Sequence, residues 1–250
     1  MNNVILVKLG GKILENEQNL NNTISQLYQL IEITQNINKI IIIPGGGTIA
    51  NFVRTLDQNI KLGDDLAHWE AIYAMNWNGQ QINKNYPNIP CFSQISELKK
   101  NISKKDNKSL LIFLPFHYLF ENDLLPHRWD ITSDSISIFI AKSLELDQCF
   151  LIKDIDGIYN IHNKTIKRIS TKDYLEYKKS NQIAKITNIS DNIKNSKPID
   201  LYALKLIDEY KIRCYILNGI YSKSRILEYF SKLSDNIKIY TEIHHQISSE

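Results

Sequence analysis

Short apolar runs alternate along this chain with longer segments in which apolar residues recur every three or four positions. The short runs are rich in Ile, Val and Phe and are bounded mostly by Gly, Pro, Asn or Asp, which is typical of strands buried on both faces. They cover residues 4–7, 39–43, 110–114, 149–152 and 213–217. We therefore predict five strands in the interior of a sheet.

The longer segments have the spacing of helices that bury one face. The predicted helices cover residues 20–33, 49–56, 64–77, 133–144 and 199–210. Strands that alternate with helices are typical of an α/β protein with a mainly parallel sheet, because parallel neighbours need crossover connections. The polar, lysine-rich stretch 160–197 follows neither pattern. We expect a hairpin there, with its turn at Asn163 and Lys164, and otherwise a flexible cover over a site or a long surface excursion.

Composition then narrows the class of protein. Of the 250 residues, 43% are apolar and 23% are charged, so the chain can bury the core of an ordinary globular protein. Its net charge of +3 is small for this length, which argues against a nucleic-acid partner. The three cysteines lie far apart without CxxC spacing, so neither a zinc site nor a redox motif is indicated. We expect a cytoplasmic protein without a membrane partner, because no apolar stretch suits a signal peptide or a bilayer span.

Two glycine-rich segments follow consecutive predicted strands. Lys8 to Lys12 reads KLGGK, and Pro44 to Thr48 reads PGGGT directly before a helix. Glycine lets backbone N–H groups approach an anion closely, and the unpaired N–H groups at a helix start favour negative charge. Each segment alone is equally well explained as a tight turn from strand to helix. Two of them at strand ends, where parallel sheets bind ligands, favour phosphate binding, although neither is a Walker loop or a dinucleotide-binding motif.

Two acidic segments follow later in the chain. The segment WDITSDS, from Trp129 to Ser135, opens a predicted helix. Ser133 or Asp130 caps this helix while Asp134 interacts with its dipole, or else Asp134 orients lysines near a transferred phosphate. The segment KDIDGIY follows a buried strand, and it is explained either by an Asp-Gly turn or by contact with a nucleotide.

Together and in this order, the four segments resemble the amino acid kinase superfamily, and the resemblance covers nearly the whole chain. It implies an α/β fold, a three-layer α/β/α sandwich with a mainly parallel central sheet. Residues 1–250 would form one domain, with the acceptor and phosphate lobe in roughly 1–145 and the nucleotide lobe in 146–250. The resemblance further implies a small-molecule kinase that uses ATP and Mg²⁺ and self-associates as a homo-oligomer.

The resemblance also implies roles for individual residues. The catalytic side chains would be Lys8, which stabilises the transferred phosphoryl group, and Asp134, which organises the lysines. The N–H donors to phosphate would be those of Gly10, Gly11, Gly45, Gly46 and Gly47. The residues near the nucleotide would be Lys153, Asp154, Asp156, Gly157 and Tyr159. Magnesium would be carried by ATP, without a metal ligand from a side chain.

Three further segments resemble the branch that contains [5-(aminomethyl)furan-3-yl]methyl phosphate kinase; they are residues 64–76, 129–136 and 199–202. This branch implies a kinase that converts a small phosphate monoester, such as that furan phosphate of methanofuran-type cofactor biosynthesis, to a diphosphate. The acceptor would contact Asp64, Asp65, His68, Trp69, Asp130 and Thr132. Its ammonium group would be balanced by Asp130, Asp64 or Asp65. His68 and Trp69 are explained equally well as buried packing at helical spacing.

Two other readings of the same segments stay open. One is a superfamily kinase for a carboxylate, a nucleotide or an isoprenoid phosphate, and the other is a nucleotide-binding protein without turnover. Lys12 stands where the superfamily commonly has a small serine, and it either adds a phosphate contact or crowds the loop. A second lysine on the nucleotide side, which many relatives have, would be Lys185, Lys194 or Lys197.

Overall fold

The computed structural model describes residues 3–104, 108–184 and 197–246, and one eight-stranded sheet runs through them. Its strands are β1 (Val4–Leu9), β2 (Lys39–Pro44), β3 (Cys91–Phe92), β4 (Ser109–Phe113), β5 (Gln148–Lys153), β8 (Arg168–Ser170), β9 (Arg213–Asn218) and β10 (Thr241–His244). The remaining strands, β6 (Ile158–Tyr159) and β7 (Thr165–Ile166), pair as a separate antiparallel hairpin. Across the sheet the order is β3-β4-β2-β1-β5-β9-β10-β8, and the neighbours are parallel except β9 and β10.

Helices cover both faces of this sheet. They are α1 (Gly11–Leu14), α2 (Glu17–Ile33), α3 (Gly47–Ile60), α4 (Asp64–Asn85), α5 (Ile95–Ile102), α6 (Phe116–Glu121), α7 (Ser133–Ser143), α8 (Thr171–Lys179), α9 (Leu201–Tyr210) and α10 (Arg225–Phe230), with a 3₁₀ turn at Asp235–Ile237. Buried side chains of α5 to α9 and of the middle of α4 pack on one face. Those of α1, α2, α10 and the end of α4 pack on the other. The predicted three-layer α/β/α sandwich with a mainly parallel sheet is therefore confirmed.

The strand β1 shows why the strands read as unbroken apolar runs. Leu6 belongs to the core layer that contains α7, whereas Ile5, Val7 and Leu9 belong to the layer that contains α2. Successive side chains of a strand point to opposite faces, and here both faces are covered by helices. Alternation between apolar and polar residues is therefore absent from the interior strands.

All five predicted strands and all five predicted helices are present, with ends that move by a few residues except in α4, which continues to Asn85. The sequence pattern missed the short strands at the sheet edges and the shorter helices. These are β3, β8, β10, α1, α5, α6, α8 and α10. Such elements bury few residues, so they carry too few apolar positions for a period to be recognised.

The polar stretch 160–197 was interpreted in part incorrectly. The hairpin is present, with β6 and β7 as its strands and Asn163 in its turn at a φ of 56°. The next part of the stretch is not an irregular cover, because α8 occupies Thr171–Lys179 and buries Tyr174 against the core. Residues 185–196, and with them Lys185 and Lys194, lie outside the described residues.

Strand order sets the position of a ligand site in this fold. Strand β1 lies between β2 and β5. On the β2 side the sheet continues to β4, and on the β5 side it continues to β9. Ligands of open parallel sheets bind at such a reversal, beyond the carboxyl ends of the strands. The loops after β1, β2 and β5 meet there. Within the described ranges, no helix combines the length and apolar character needed to cross a membrane.

Candidate active site

Two lysines and one aspartate meet at the carboxyl ends of β1 and β5. Lys8 Nζ lies 2.8 Å from Asp134 Oδ1, and Lys153 Nζ lies 2.6 Å from Asp134 Oδ2. Lys8 projects to the same face of β1 as Leu6, which is the face that α7 covers. Asp134 is in the first turn of α7, so the helix start brings the carboxylate between the two ammonium groups.

Burial and charge compete within this cluster. Burial alone would raise the pKa of Asp134, but Lys153 and Lys8 outweigh it and lower that pKa to about 2. Burial also lowers the pKa of Lys8, and the neighbouring Asp134 carboxylate opposes that shift. The carboxylate is therefore ionised at neutral pH. Two lysine side chains share this one carboxylate, so the cluster is suited to an anion that binds beside it.

Asp200, which also lines the cavity, supports this cluster. It caps α9, and its carboxylate accepts hydrogen bonds from the hydroxyl groups of Thr132 and Ser135 and from the backbone N–H of Ala203. The Thr132 hydroxyl in turn accepts a hydrogen bond from the N–H of Asp134. Asp200 therefore ties the start of α7 to the start of α9. The hydroxyl of Thr132, which we predicted to bind substrate, is already used in this contact.

Two of the five predicted glycine donors are engaged elsewhere. The N–H of Gly10 donates to Ile152 O, and the N–H of Gly45 donates to Leu9 O, each at 2.8 Å. These bonds extend the sheet ladder by one residue beyond the strands. The prediction that all five glycines offer N–H groups to phosphate is therefore wrong for Gly10 and Gly45, because the sheet consumes both donors.

The other three glycines remain predicted donors. Gly11 and Gly47 are the first residues of α1 and α3, and Gly46 precedes Gly47. The N–H groups in the first turn of a helix have no acceptor within the helix. The two loops also touch, since a Cβ on Gly11 would lie 2.9 Å from the Cα of Gly47. Glycine at position 11 is thus required by the close approach of the loops.

A cavity of about 800 Å³ opens over these loops. Most of the predicted site residues line it; they are Lys8, Gly10, Gly11, Gly46, Gly47, Asp64, His68, Asp130, Thr132, Asp134, Lys153 and Asp154. Lys12 and Lys197 line it as well. The predicted residues outside the cavity wall are Gly45, Asp65, Trp69, Asp156, Gly157 and Tyr159.

The residues after β5 that lie outside the cavity wall have partners within the protein. Asp156 Oδ1 accepts hydrogen bonds from Arg225 Nε at 3.0 Å and Asn218 Nδ2 at 3.2 Å. The N–H of Asp156 donates to the hydroxyl of Tyr159. Gly157 has a φ of 141° and packs so closely on Thr241 that a Cβ would lie 2.4 Å from the threonine hydroxyl. These contacts brace the loop, and a nucleotide contact by Asp156, Gly157 or Tyr159 stays a prediction.

On the acceptor side, a histidine pair joins α4 to the segment before α7. His127 hydrogen-bonds Asp65 at 2.6 Å and Asp123 at 2.8 Å, and its ring stacks on His68 at 4.2 Å. Burial lowers the pKa of His68 to about 4, so this cavity-lining ring is neutral at pH 7. Trp69 packs edge-on against His127 and neighbouring phenylalanines outside the cavity wall, which supports the packing interpretation for this residue.

Several residues of the site were not recognised in the sequence. Lys153 was expected near the nucleotide, but not as the second lysine on Asp134. Asp200 was not assigned a role, although an aspartate at the start of a predicted helix is a capping signal. Arg54 and Arg128 also line the cavity, and Arg128 forms two hydrogen bonds to Asp130, at 3.0 and 2.9 Å. No local pattern indicated that these arginines face the same space.

The described residues contain no group of three or more His, Cys, Asp or Glu side chains placed to hold a metal ion. The lysine cluster and the open helix starts fit phosphate oxygens, because they offer positive charge and hydrogen-bond donors. That Mg²⁺ arrives bound to ATP stays a prediction.

Comparisons with known proteins agree with this geometry. The model of the amino acid kinase family matches residues 3–218. A relative from Methanocaldococcus jannaschii, named [5-(aminomethyl)furan-3-yl]methyl phosphate kinase, is 29% identical over 238 residues, which cover 95% of this chain and 96% of that protein. A uridylate kinase from Sulfurisphaera tokodaii is 22% identical over 225 residues, which cover 86% and 89% of the two chains.

The likeness extends to solved structures. The crystal structure of UMP kinase from Ureaplasma parvum superposes with a TM-score of 0.67 at 19% identity, over 96% of this chain and 98% of that chain. At 19% identity this likeness shows the fold alone, and the family match shows the membership of the family. The chain belongs to the amino acid kinase family and is an ATP-dependent phosphotransferase.

Proposed function

We propose that this kinase transfers the γ-phosphoryl group of ATP to a small phosphate monoester and releases ADP and a diphosphate. The Lys8–Asp134–Lys153 cluster beside two glycine-rich loops is the observation that carries this proposal. The proposed acceptor is [5-(aminomethyl)furan-3-yl]methyl phosphate. It is supported by the 29% identity, over nearly the whole chain, to the relative that bears the corresponding name.

The proposed reaction needs little acid–base chemistry from the protein. An oxygen of the acceptor phosphate attacks the γ-phosphorus, the new P–O bond forms, and the bond from that phosphorus to the β,γ-bridging oxygen breaks. The electron pair of the broken bond stays on ADP. An ionised phosphate oxygen carries no proton to remove, so the protein acts by positioning and by neutralising charge.

Each part of the site has a role in that transfer. Lys8 and Lys153 stabilise negative charge on the transferred group, and Asp134, which contacts both, holds their ammonium groups at fixed positions. The N–H groups of Gly11, Gly46 and Gly47 are proposed to bind phosphate oxygens. When bound with ATP, Mg²⁺ would supply further charge neutralisation.

Specificity is proposed to lie on the side of α3 and α4. Asp64 lines the cavity and is exposed, so it can balance an ammonium group of the acceptor. Asp130 already pairs with Arg128, which makes it a weaker candidate for that role. We keep the division into an acceptor lobe, 1–145, and a nucleotide lobe, 146–250, as part of the proposal, together with a cytoplasmic location and self-association.

A uridylate kinase activity is the second candidate, because relatives at 22% and 20% identity bear that name. It predicts the same phosphoryl chemistry with UMP as the acceptor. The two candidates differ in the far end of the acceptor, which is an aminomethylfuran in one case and a nucleoside in the other.

An acceptor panel tests the proposal. Purified protein would be incubated with ATP, Mg²⁺ and, in separate reactions, the furan phosphate, UMP, isopentenyl phosphate or N-acetylglutamate, with ADP release and ³¹P NMR as readouts. We expect saturable diphosphate formation from the furan phosphate at a higher kcat/KM than from the other acceptors. Turnover of UMP alone would support the second candidate, and tight ATP binding without turnover of any acceptor would contradict both.

A further inference from the structure

Arg54 on α3 lines the cavity, and no carboxylate of the described residues balances its charge. Its guanidinium carbon lies 4.5 Å from the centre of the Trp129 ring, and Nη2 donates to Trp129 O at 3.4 Å. Its Nε is buried without a hydrogen-bond partner. Among the described residues, no carboxylate forms an ion pair with this guanidinium, although it lines the wall of the cavity.

Three other cations of the cavity differ from Arg54 in this respect. Lys8 and Lys153 share Asp134, and Arg128 is paired with Asp130. Holding a half-buried guanidinium without an ion-pair partner costs free energy, so a charge placed this way is seldom retained for packing alone. An arginine that lines a cavity in this state is accounted for when a bound ligand supplies the anion. The missing partner of Arg54 is then an anion bound in the cavity.

The position of Arg54 on α3 places that anion near the phosphoryl-transfer point. Arg54 follows Gly47, the first residue of α3, by seven positions, which is about two helical turns, so both lie on one side of the helix. Helical side chains lean toward the N-terminus of their helix, and the long arginine side chain therefore reaches back toward the glycine loop. Arg54, Gly46 and Gly47 all line the cavity.

Arg54 also lies on the acceptor side of the cavity. Its helix packs against α4, which contributes Asp64 and His68 to the wall, whereas Lys153 and Asp154 enter from the end of β5. The guanidinium is held in place by Trp129, whose ring stacks on it. The ring is itself fixed, because Trp129 Nε1 donates to Asp57 Oδ2 at 2.8 Å. A planar, fixed guanidinium is suited to two parallel hydrogen bonds to phosphate oxygens.

We propose that Arg54 binds the phosphate of the acceptor, and that Asp57 and Trp129 hold its guanidinium in position. This inference rests on the proposed function, because that reaction requires an acceptor phosphate next to the transferred group. It assigns selection of phosphate monoesters over the corresponding alcohols to one residue.

Binding of benzyl phosphate, an aryl-methyl phosphate monoester, tests the assignment without turnover. Isothermal titration would compare wild type, Arg54→Gln, Arg54→Lys and the control Arg213→Gln, whose arginine lies at the opposite, amino end of β9 and pairs with Asp147. We expect the Kd to rise about 10- to 100-fold in Arg54→Gln, because charged hydrogen bonds to phosphate are lost. In Arg54→Lys we expect a smaller rise, since lysine keeps the charge but not the fork.

The control variant, benzyl alcohol and ATP complete the design. Arg213→Gln should bind benzyl phosphate as wild type does, benzyl alcohol should bind no better to wild type than to Arg54→Gln, and the Kd for ATP should stay within about twofold in every variant. Thermal unfolding of each variant would establish that it is folded. If Arg54→Gln does not fold, Arg54→Lys, which keeps a cation beside the Trp129 ring, takes its place in the comparison.

Three outcomes would overturn the assignment. They are an unchanged Kd for benzyl phosphate in folded Arg54→Gln, an equal loss of ATP and benzyl phosphate binding, and no saturable binding of benzyl phosphate to wild type. Failure of the proposed function is separate from these: benzyl phosphate binding that depends on Arg54, without turnover in the acceptor panel, would retain the site and reject the reaction.

Discussion

Two buried aspartates at neighbouring helix starts, Asp134 on α7 and Asp200 at the cap of α9, have opposite electrostatic properties. Asp134 is 3% exposed and Asp200 is 6% exposed. Two lysines contact Asp134 and lower its pKa to about 2, although burial acts in the other direction. Burial raises the pKa of Asp200, which has hydroxyl and N–H donors around it but no cation of the described residues in contact.

The difference shows that Asp134 acts through its charge, whereas Asp200 acts by holding the backbone in place. Asp134 fixes two cations next to a cavity that suits anions, so its charge bears directly on the chemistry. Asp200 organises the backbone that presents Asp134, and hydrogen bonding is sufficient for that task. Residue type, burial and position at a helix start are the same in both cases. The neighbours on β1 and β5 make the distinction.

Removal of the charge on Lys8 should have the largest effect. Lys8→Met keeps the length of the side chain and leaves Asp134 paired with Lys153, so the fold is expected to persist. We expect kcat to fall by roughly 10²–10³-fold, as when one preorganised donor to a transition state is lost. ADP release under saturating ATP and acceptor measures this. Lys99→Met, on the exposed surface of α5, is the matched control, and an equal loss in that variant would refute the role of Lys8.

Asp134→Asn should be the next most damaging change. It leaves two ammonium groups facing each other without a counter-charge, and breaking a buried pair costs about 3–5 kcal/mol. We expect roughly 10²-fold lower kcat, because the lysines repel and lose their positions. Urea unfolding at pH 7 measures the stability. A variant as stable as wild type would show that the cluster is not the buried ion pair described above.

The pH dependence of stability sharpens the comparison. The pKa of Asp134 is lowered from 3.8 to about 2 in the folded protein. Its contribution of about 2 kcal/mol is therefore complete above about pH 4 and is lost as the pH falls toward 2, because the unfolded chain binds the proton first. The difference in unfolding free energy between wild type and Asp134→Asn should shrink over that range.

The difference in unfolding free energy between wild type and Asp200→Asn should not follow the same course on acidification. Its raised pKa means that the ionised form is disfavoured in the folded protein, so acidification should not remove a contribution from Asp200. If the two differences from wild type shrink in parallel between pH 4 and pH 2, the electrostatic contrast between the aspartates is wrong.

Asp200→Asn itself should have the smallest effect. Asparagine caps helices about as well as aspartate but keeps only one of the two acceptor oxygens, so we expect a loss of about 1–3 kcal/mol. The kcat should fall by less than tenfold, since Asp134 keeps both lysines. Urea unfolding and ADP release measure the two quantities. A loss of activity as large as that of Asp134→Asn would indicate that Asp200 acts directly in phosphoryl transfer and not as a support.

Periodicity along the chain was enough to predict the interior of the fold. The five central strands are buried on both faces and the main helices on one, so their apolar patterns are long and unambiguous. The glycine segments and Asp134 could be recognised because each follows or opens a predicted element. Helix α8 was missed because a polar surface helix with a single strongly buried aromatic has no apolar period.

Contacts between distant segments could not be read from the chain. Lys8 and Lys153 are 145 positions apart, and they share Asp134 because β1 and β5 are adjacent in the sheet. The same holds for Gly10 and Gly45, whose N–H groups were expected to face phosphate until strand register assigned them to the sheet. Residue types and local spacing therefore specified the strands, the loops and the phosphate chemistry. Strand order and register, which depend on packing over the whole chain, decided which side chains share a carboxylate.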